Sequence, residues 1–191
     1  MESSLKRPSE TVKIGAPTSL IITKTRLQEP PGGVKHFQNF LQDSDPFLVL
    51  YGDILTTQDF RPLIAFHKEK KALGTIIVHQ RSKSNSMVFS DQKGCVRAFL
   101  ERPSPEQEQE WRQVYAPESP DVWVNSGLYC LASEVLNLIP ANQYCDFPRD
   151  VFPHLIQHHQ LYSFSLQGQR FAIDTPDRYA QAQQEIPHWS Y

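Results

Sequence analysis

Cysteine is scarce in this chain: its 191 residues hold three, Cys95, Cys130 and Cys145, far apart and without a CxxC pair. An odd, dispersed set excludes both a disulfide framework and a zinc ribbon, and it fits a reducing compartment, the cytoplasm. Long apolar runs are missing as well. No stretch approaches the ~20 residues that a membrane-crossing helix needs, and the opening Met1 to Pro8 has no hydrophobic signal core. The chain is therefore expected to be soluble, with no membrane partner. Charge of one sign is also lacking, because the formal net charge is −2 and Lys and Arg are scattered. That excludes a large nucleic-acid footprint. Lys68, Lys70 and Lys71 read as the solvated end of a helix, and Trp111, Trp123 and Trp189 lack the basic interleaving of a base-stacking platform. His154 and His158 have metal-ligand spacing on a helix but no matching acid, so they read as a solvated helix end.

What is present fits one α/β domain over residues 1–191, long enough to bury a core. Its most informative run is Pro46-Phe47-Leu48-Val49-Leu50-Tyr51-Gly52-Asp53. A continuous apolar stretch ending in Gly-Asp reads as a buried parallel strand delivering one carboxylate to its carboxyl end, where open α/β sheets bind ligands. Gly52 lets a phosphate or metal approach the backbone, and Asp53 suits a divalent cation.

Further elements follow from spacing. Leu20 to Thr25 reads as a strand, Gln28 to Gly33 as a turn-rich loop, and Val34 to Leu41 as a helix. Thr57 is placed to cap a helix with Phe60, Leu63, Ile64 and His67 on its apolar face, and Leu73 to His79 returns as a strand. This alternation favours a mainly parallel sheet with helices on its faces. Asp91-Gln92-Lys93-Gly94 between two apolar runs marks a hairpin that makes the sheet mixed. Arg102 to Pro120 reads as a mobile surface excursion, Trp123 to Leu131 as a strand, and Ser133 as a cap for a short helix. Arg149 to His158 reads as helical around Pro153, followed by strands at Leu161 to Leu166 and Arg170 to Ile173. Thr175-Pro176-Asp177 starts a terminal helix with a hydroxyl cap and an early proline.

Taken in order, Phe47 to Asp53, Glu101-Arg102-Pro103, Val124-Asn125-Ser126-Gly127-Leu128-Tyr129 and Asp174-Thr175-Pro176-Asp177-Arg178-Tyr179 resemble the sugar-1-phosphate nucleotidylyltransferases, or nucleotide-sugar pyrophosphorylases. The resemblance runs from about Ile14 to Ile186. The Ser84 to Val88 and Asp146 to Pro153 stretches are most similar to the members acting on mannose-like or heptose 1-phosphates. The resemblance implies a Rossmann-like three-layer α/β/α fold and attack of a sugar 1-phosphate on the α-phosphorus of a nucleoside triphosphate, with pyrophosphate released. It further implies Mg²⁺ as cofactor, with Asp53 as the catalytic metal ligand and a second Asp near the late Thr-Pro. Aligned without a gap, Asp174 falls on the family's Gly and Ala172 on its Asp. Either one residue is deleted and Asp174 serves, or the second ligand is gone. Glu101 and Arg102 stand for the Glu-Lys pair that contacts the sugar phosphate. Asn125 and Gly127 match the Asn-x-Gly of the sugar pocket, although Asn before Gly is also an ordinary turn signal. Gly32 and Gly33 fall in a shortened version of the loop bordering the nucleotide base.

The family's opening strand and Gly-x-Gly-Thr-Arg loop have no counterpart in Met1 to Lys13, a segment expected to be poorly ordered. Such a loop compensates the charge of departing pyrophosphate, so its loss is expected to cost orders of magnitude in rate and to leave an unpaired sheet edge. Three readings stay open: a nucleotidyltransferase completed by a second chain, a longer polypeptide or a second copy; a non-catalytic sugar-phosphate or nucleotide-sugar binding module; and a regulatory or assembly subunit using the exposed edge.

Overall fold

The computed structural model describes residues 30–44, 46–82, 85–115, 122–141 and 143–186. The strand read at Leu20 to Thr25 and the disorder read for residues 1–13 lie outside them. Among the described residues there are eight strands: β1 (Phe47–Leu50), β2 (Ile54–Thr56), β3 (Gly74–Arg81), β4 (Ser86–Ser90), β5 (Val96–Glu101), β6 (Val122–Leu131), β7 (Leu161–Ser165) and β8 (Arg170–Ala172). The helices are α1 (Pro30–His36), α2 (Gln38–Leu41), α3 (Phe60–Lys70), α4 (Pro105–Tyr115), α5 (Phe152–Gln157) and α6 (Pro176–Glu185). Short 3₁₀ and π segments occupy Ser133–Leu138 and Phe147–Val151.

Strand alternation sorts the apolar side chains onto two faces. Phe47, Val49, Ile76, Val78, Tyr129 and Leu131 meet Val34, Leu41, Phe147, Val151, Phe152 and Leu155 on one side of the sheet. On the other, Leu48, Ile77, Leu128, Cys130 and Phe164 meet Leu63, Phe60 and Ile64 of α3. Helical segments thus cover both faces of a mixed sheet, the expected three layers. A third cluster, Met87, Trp111, Val122 and Val124, lies under α4.

The strand β6 is the organiser. Its residues Leu128 to Leu131 pair antiparallel with β1 on one edge, and Cys130 and Leu131 also face β3 on the other. Its Trp123 reaches β4, giving the path β5-β4-β6-β3-β7 with β1 beside β6. The sheet is mixed as read, but the balance of directions is corrected: among the described residues only β3 and β7 pair parallel. The physical reason is that β1, β3 and β7 share one direction, while β6 inserts between β1 and β3 running the other way. Periodicity reports burial, and a strand covered on both faces reads alike in either orientation.

Other boundaries move for local reasons. Of the loop read over Gln28 to Gly33, residues 28 and 29 lie outside the described residues and the rest gives way to α1, which takes in Gly32 and Gly33; proline in a first helical turn forfeits no intrahelical bond, so Pro30 and Pro31 open a helix rather than prevent one. The cap of α3 is Asp59, accepting from Arg61 N at 2.9 Å, instead of Thr57. Ser133 lies inside the 3₁₀ segment, whose flanking residue is Ala132. The read helix around Pro153 splits into the π turn and α5. The largest correction is α4, placed where a mobile excursion was read. Ser104 Oγ accepts from Gln107 N at 3.3 Å while Gln107 Oε1 accepts from Ser104 N at 2.9 Å, a reciprocal capping box, and Trp111 is buried beneath the helix.

Candidate active site

The site is assembled around an irregularity in β6. The register with β3 shifts between Ile76 opposite Tyr129 and Val78 opposite Asn125, so the strand bulges at Ser126 to Leu128. Gly127 sits there with φ +71°, and a Cβ on it would lie 2.7 Å from Ile54 Cδ1 and 3.3 Å from the Tyr51 ring. Both conformation and space therefore demand glycine. The bulge is tied down by Gly127 N donating to Asn125 Oδ1 (3.1 Å) and Tyr51 N donating to Gly127 O (3.1 Å). Asn125 Nδ2 donates to Tyr129 Oη at 2.8 Å, and Asn125 N donates to Ser86 Oγ at 2.9 Å. The turn reading of Asn-x-Gly is thus realised as an Asx turn. An amide has two donor hydrogens and two acceptor lone pairs, so one of each stays available to a hydroxylated ligand.

Glu101 ends β5 near Tyr51, Tyr129 and Asp146. Burial, then the charge of Asp146, pushes its carboxyl up to about 7, against the pull of Arg102 and Arg149. Burial likewise raises the phenols of Tyr51 and Tyr129, which stay protonated donors at neutral pH. Arg102 is exposed, 3.8 Å from Glu101, and carries a left-handed φ of +50°, an uncommon backbone for a residue with a Cβ.

Asp53 lies in the exposed turn between β1 and β2. The β2–β8 ladder pairs Ile54 with Ala172, and Asp53 O accepts from Ile173 N at 2.8 Å. Asp174 is the next residue, so the ladder carries its backbone alongside Asp53. The Asp174 carboxylate is gripped by Arg178 Nη1 at 2.8 and 3.0 Å, and this bond holds it below the usual carboxylate range. Ala172, the alternative position from the ungapped alignment, has no ligating atom. Gly52 is exposed, and a Cβ added to it would meet nothing within 4 Å, so its surroundings are open to a ligand. Among the described residues no three His, Cys, Asp or Glu side chains cluster as a metal cage. Asp53 and Asp174 are a two-acid arrangement instead.

The predicted residues thus fall into two neighbouring groups sharing the bulge: Glu101 with Asn125, and Asp53 with Asp174. Gly32 and Gly33 lie in α1, which is anchored through Val34 in the core and Lys35 Nζ donating to Leu136 O at 2.8 Å. The sequence motifs do not single out Arg170, whose Nε donates to Ser126 O at 2.9 Å. They leave His79 at the core or rim; His79 Nδ1 lies 2.8 Å from Ser126 Oγ, and burial, with help from Arg170 and Arg81, lowers its imidazole to about 4. No local motif marks Arg170, because its place beside the bulge depends on the long-range β2–β8 ladder.

The mixed sheet with helical segments on both faces is an α/β fold. The family model described as Nucleotidyl transferase matches residues 7–189, and the chain belongs to that family. It is 30% identical over 138 residues to mannose-1-phosphate guanyltransferase beta-A of Xenopus laevis, a match covering 71% of this chain and 34% of that protein. It is 32% identical over 130 residues to a UTP–glucose-1-phosphate uridylyltransferase of Synechocystis, covering 65% and 31%. The chain therefore spans about a third of the length of these curated relatives. In fold it resembles the UTP-bound UGPase of Acinetobacter baumannii, with TM-score 0.64 and 18% identity over 83% of this chain and 57% of that one.

Proposed function

We propose that this chain binds a sugar 1-phosphate and a nucleoside triphosphate and acts in transfer of the nucleoside monophosphate to the sugar phosphate. A phosphate oxygen of the sugar 1-phosphate attacks the α-phosphorus, the bond to the β-phosphate breaks, and pyrophosphate leaves. The observation that carries this reading is the convergence of two acids and a hydroxyl-compatible amide at one bulge of β6. Asn125 and Glu101 orient the sugar, with Arg102 at its phosphate. Asp53 and Asp174 would hold Mg²⁺, which binds through one or two carboxylates and completes its shell with water and phosphate oxygens; two acids suffice. When bound, the ion supplies charge neutralisation on the reacting phosphates. Arg178 keeps Asp174 ionised and oriented. No general base is needed, since a sugar phosphate is already an ionised nucleophile at neutral pH, and the protein's task is in-line positioning.

The cytoplasm is the compartment we assign, in keeping with three buried cysteines that form no disulfide. Among the described residues no helix is long and apolar enough to cross a membrane. A second chain or copy completing the triphosphate side belongs to the proposal, supported by the outer edge of β1, which carries no strand among the described residues and ends at the half-exposed Leu50. The test is pyrophosphate release from the chain with nucleoside triphosphates, mannose or glucose 1-phosphate and Mg²⁺, paired with calorimetry of the same ligands. Release that Asp53→Ala abolishes is the expected result. Binding without release, from the chain alone and with a completing polypeptide added, turns the conclusion to a non-catalytic sugar-phosphate module, and absence of both overturns the proposal.

A further inference from the structure

Arg170 stands out among the charged groups that the sequence motifs leave unassigned. It is half-buried at the start of β8, and its Nε is engaged by the Ser126 carbonyl at 2.9 Å, inside the Asn125 to Gly127 bulge. That bond fixes the plane of the guanidinium. Both terminal Nη groups are left with no protein acceptor and no carboxylate within ion-pair reach among the described residues. The nearest acids, Asp53 and Asp174, are close enough to act on Arg170 through their charge but form no bond with it, and Asp174 is already bonded to Arg178. Arg81, exposed at the end of β3, adds a second guanidinium with no ion pair among the described residues, and its charge also bears on Arg170 and His79. A half-buried cation near other cations, with its donors unfilled, is a costly arrangement for structure alone. Its fork geometry matches the oxygens of a phosphate.

We propose that Arg170, supported by Arg81, is a phosphate-binding residue of this site, its two free Nη groups bonding oxygens of a substrate phosphate presented between the Asn125 to Gly127 bulge and the Asp53–Asp174 pair. The inference rests on the substrate reading above and adds to it a residue outside the motifs. The guanidinium supplies positive charge beside the bulge, fixed in advance by the Ser126 carbonyl, so little ordering remains when the ligand arrives. Two sources of the phosphate share this chemistry, the sugar 1-phosphate and the polyphosphate of the nucleotide.

The experiment measures dissociation constants for mannose 1-phosphate, GTP and inorganic pyrophosphate by calorimetry. The proteins are the unaltered chain, Arg170→Met, Arg170→Lys, and Arg97→Met as a control on a surface arginine paired with Asp91. Arg170→Met is expected to weaken at least one ligand by about tenfold to a hundredfold, the scale of a charged hydrogen-bond pair, with Arg170→Lys in between and Arg97→Met unchanged. Loss confined to mannose 1-phosphate assigns Arg170 to the sugar phosphate; loss for GTP and pyrophosphate assigns it to the nucleotide. Unchanged affinities in both Arg170 variants overturn the inference and leave the substrate reading standing. Weakening that accompanies a lowered unfolding midpoint, with no recovery in Arg170→Lys, also overturns it, as a structural role. Failure of the unaltered chain to bind any of the three overturns both.

Discussion

Gly127 shows how much one residue carries at this bulge. A methyl group there would press on Ile54 and the Tyr51 ring in a backbone conformation that L side chains rarely adopt. Gly127→Ala is expected to lower stability by about 1–3 kcal/mol, read as a shift in urea midpoint with the denaturant slope unchanged. Two titrating groups nearby act in opposite directions. Glu101 has its folded pKa raised from 4.5 to about 7, so its contribution to stability is full below about 4.5 and is lost as pH climbs through 7. His79 has its folded pKa lowered from 6.5 to about 4, so its contribution is present above 6.5 and is lost as pH falls toward 4. Thermal midpoints across pH 4–8 will separate them: Glu101→Gln should remove the decline on the alkaline side, and a His79→Gln protein should lose the decline on the acid side. An unaltered profile in either variant would assign the dependence to other groups.

At the scale of elements, α4 is the instructive case. Its sequence, rich in Glu and Gln, has little to bury, and it is held chiefly by Trp111, which packs with Met87, Val122 and Val124, aided by Tyr115, whose ring lies 5.1 Å from Trp111 and 4.7 Å from Phe89. Trp111→Ala is expected to cost about 3–5 kcal/mol, while Ser104→Ala, which breaks the capping box, should cost about 1 kcal/mol. Denaturation monitored by circular dichroism checks both. Equal effects would mean that the cap, rather than the packing, sets the helix. The β2–β8 ladder is the other decisive element. Three residue pairs suffice to bring residues more than a hundred positions apart into one site, and Thr56 Oγ1 donating to Gln169 O at 2.7 Å together with Gln169 N donating to Thr57 Oγ1 at 2.9 Å secure its far end.

Over the whole molecule, β6 couples the three apolar clusters, contributing Tyr129 and Leu131 to one, Leu128 and Cys130 to the second, and Val122 and Val124 to the third. Clusters that share a strand should melt together. Unfolding followed by the fluorescence of Trp111, Trp123 and Trp189 is therefore expected to coincide with unfolding followed by far-ultraviolet circular dichroism. Separate transitions would show that the region under α4 opens independently of the rest.

Much of this architecture was legible locally. Alternation and apolar runs located β3, β4, β5, β6 and β7 to within a residue or two; Gly94, at φ +80°, marked the hairpin; and Thr175, accepting from Arg178 N at 3.3 Å, marked the start of α6. The Ser104 to Gln107 capping box was passed over in reading Arg102 to Pro120 as an excursion, because the surrounding prolines dominate that stretch. The motif residues Asp53, Glu101, Arg102, Asn125, Gly127 and Asp174 could be named from the sequence because the family resemblance rests on short motifs at fixed places in the chain. Strand direction, the position of β6 between β1 and β3, the helical conformation of Gly32 and Gly33 and the arrival of Arg170 beside Ser126 were decided only by the tertiary structure. Those outcomes depend on which hydrogen-bonding edges meet across long sequence separations, and burial alone, which is what a local pattern records, is the same for either neighbour.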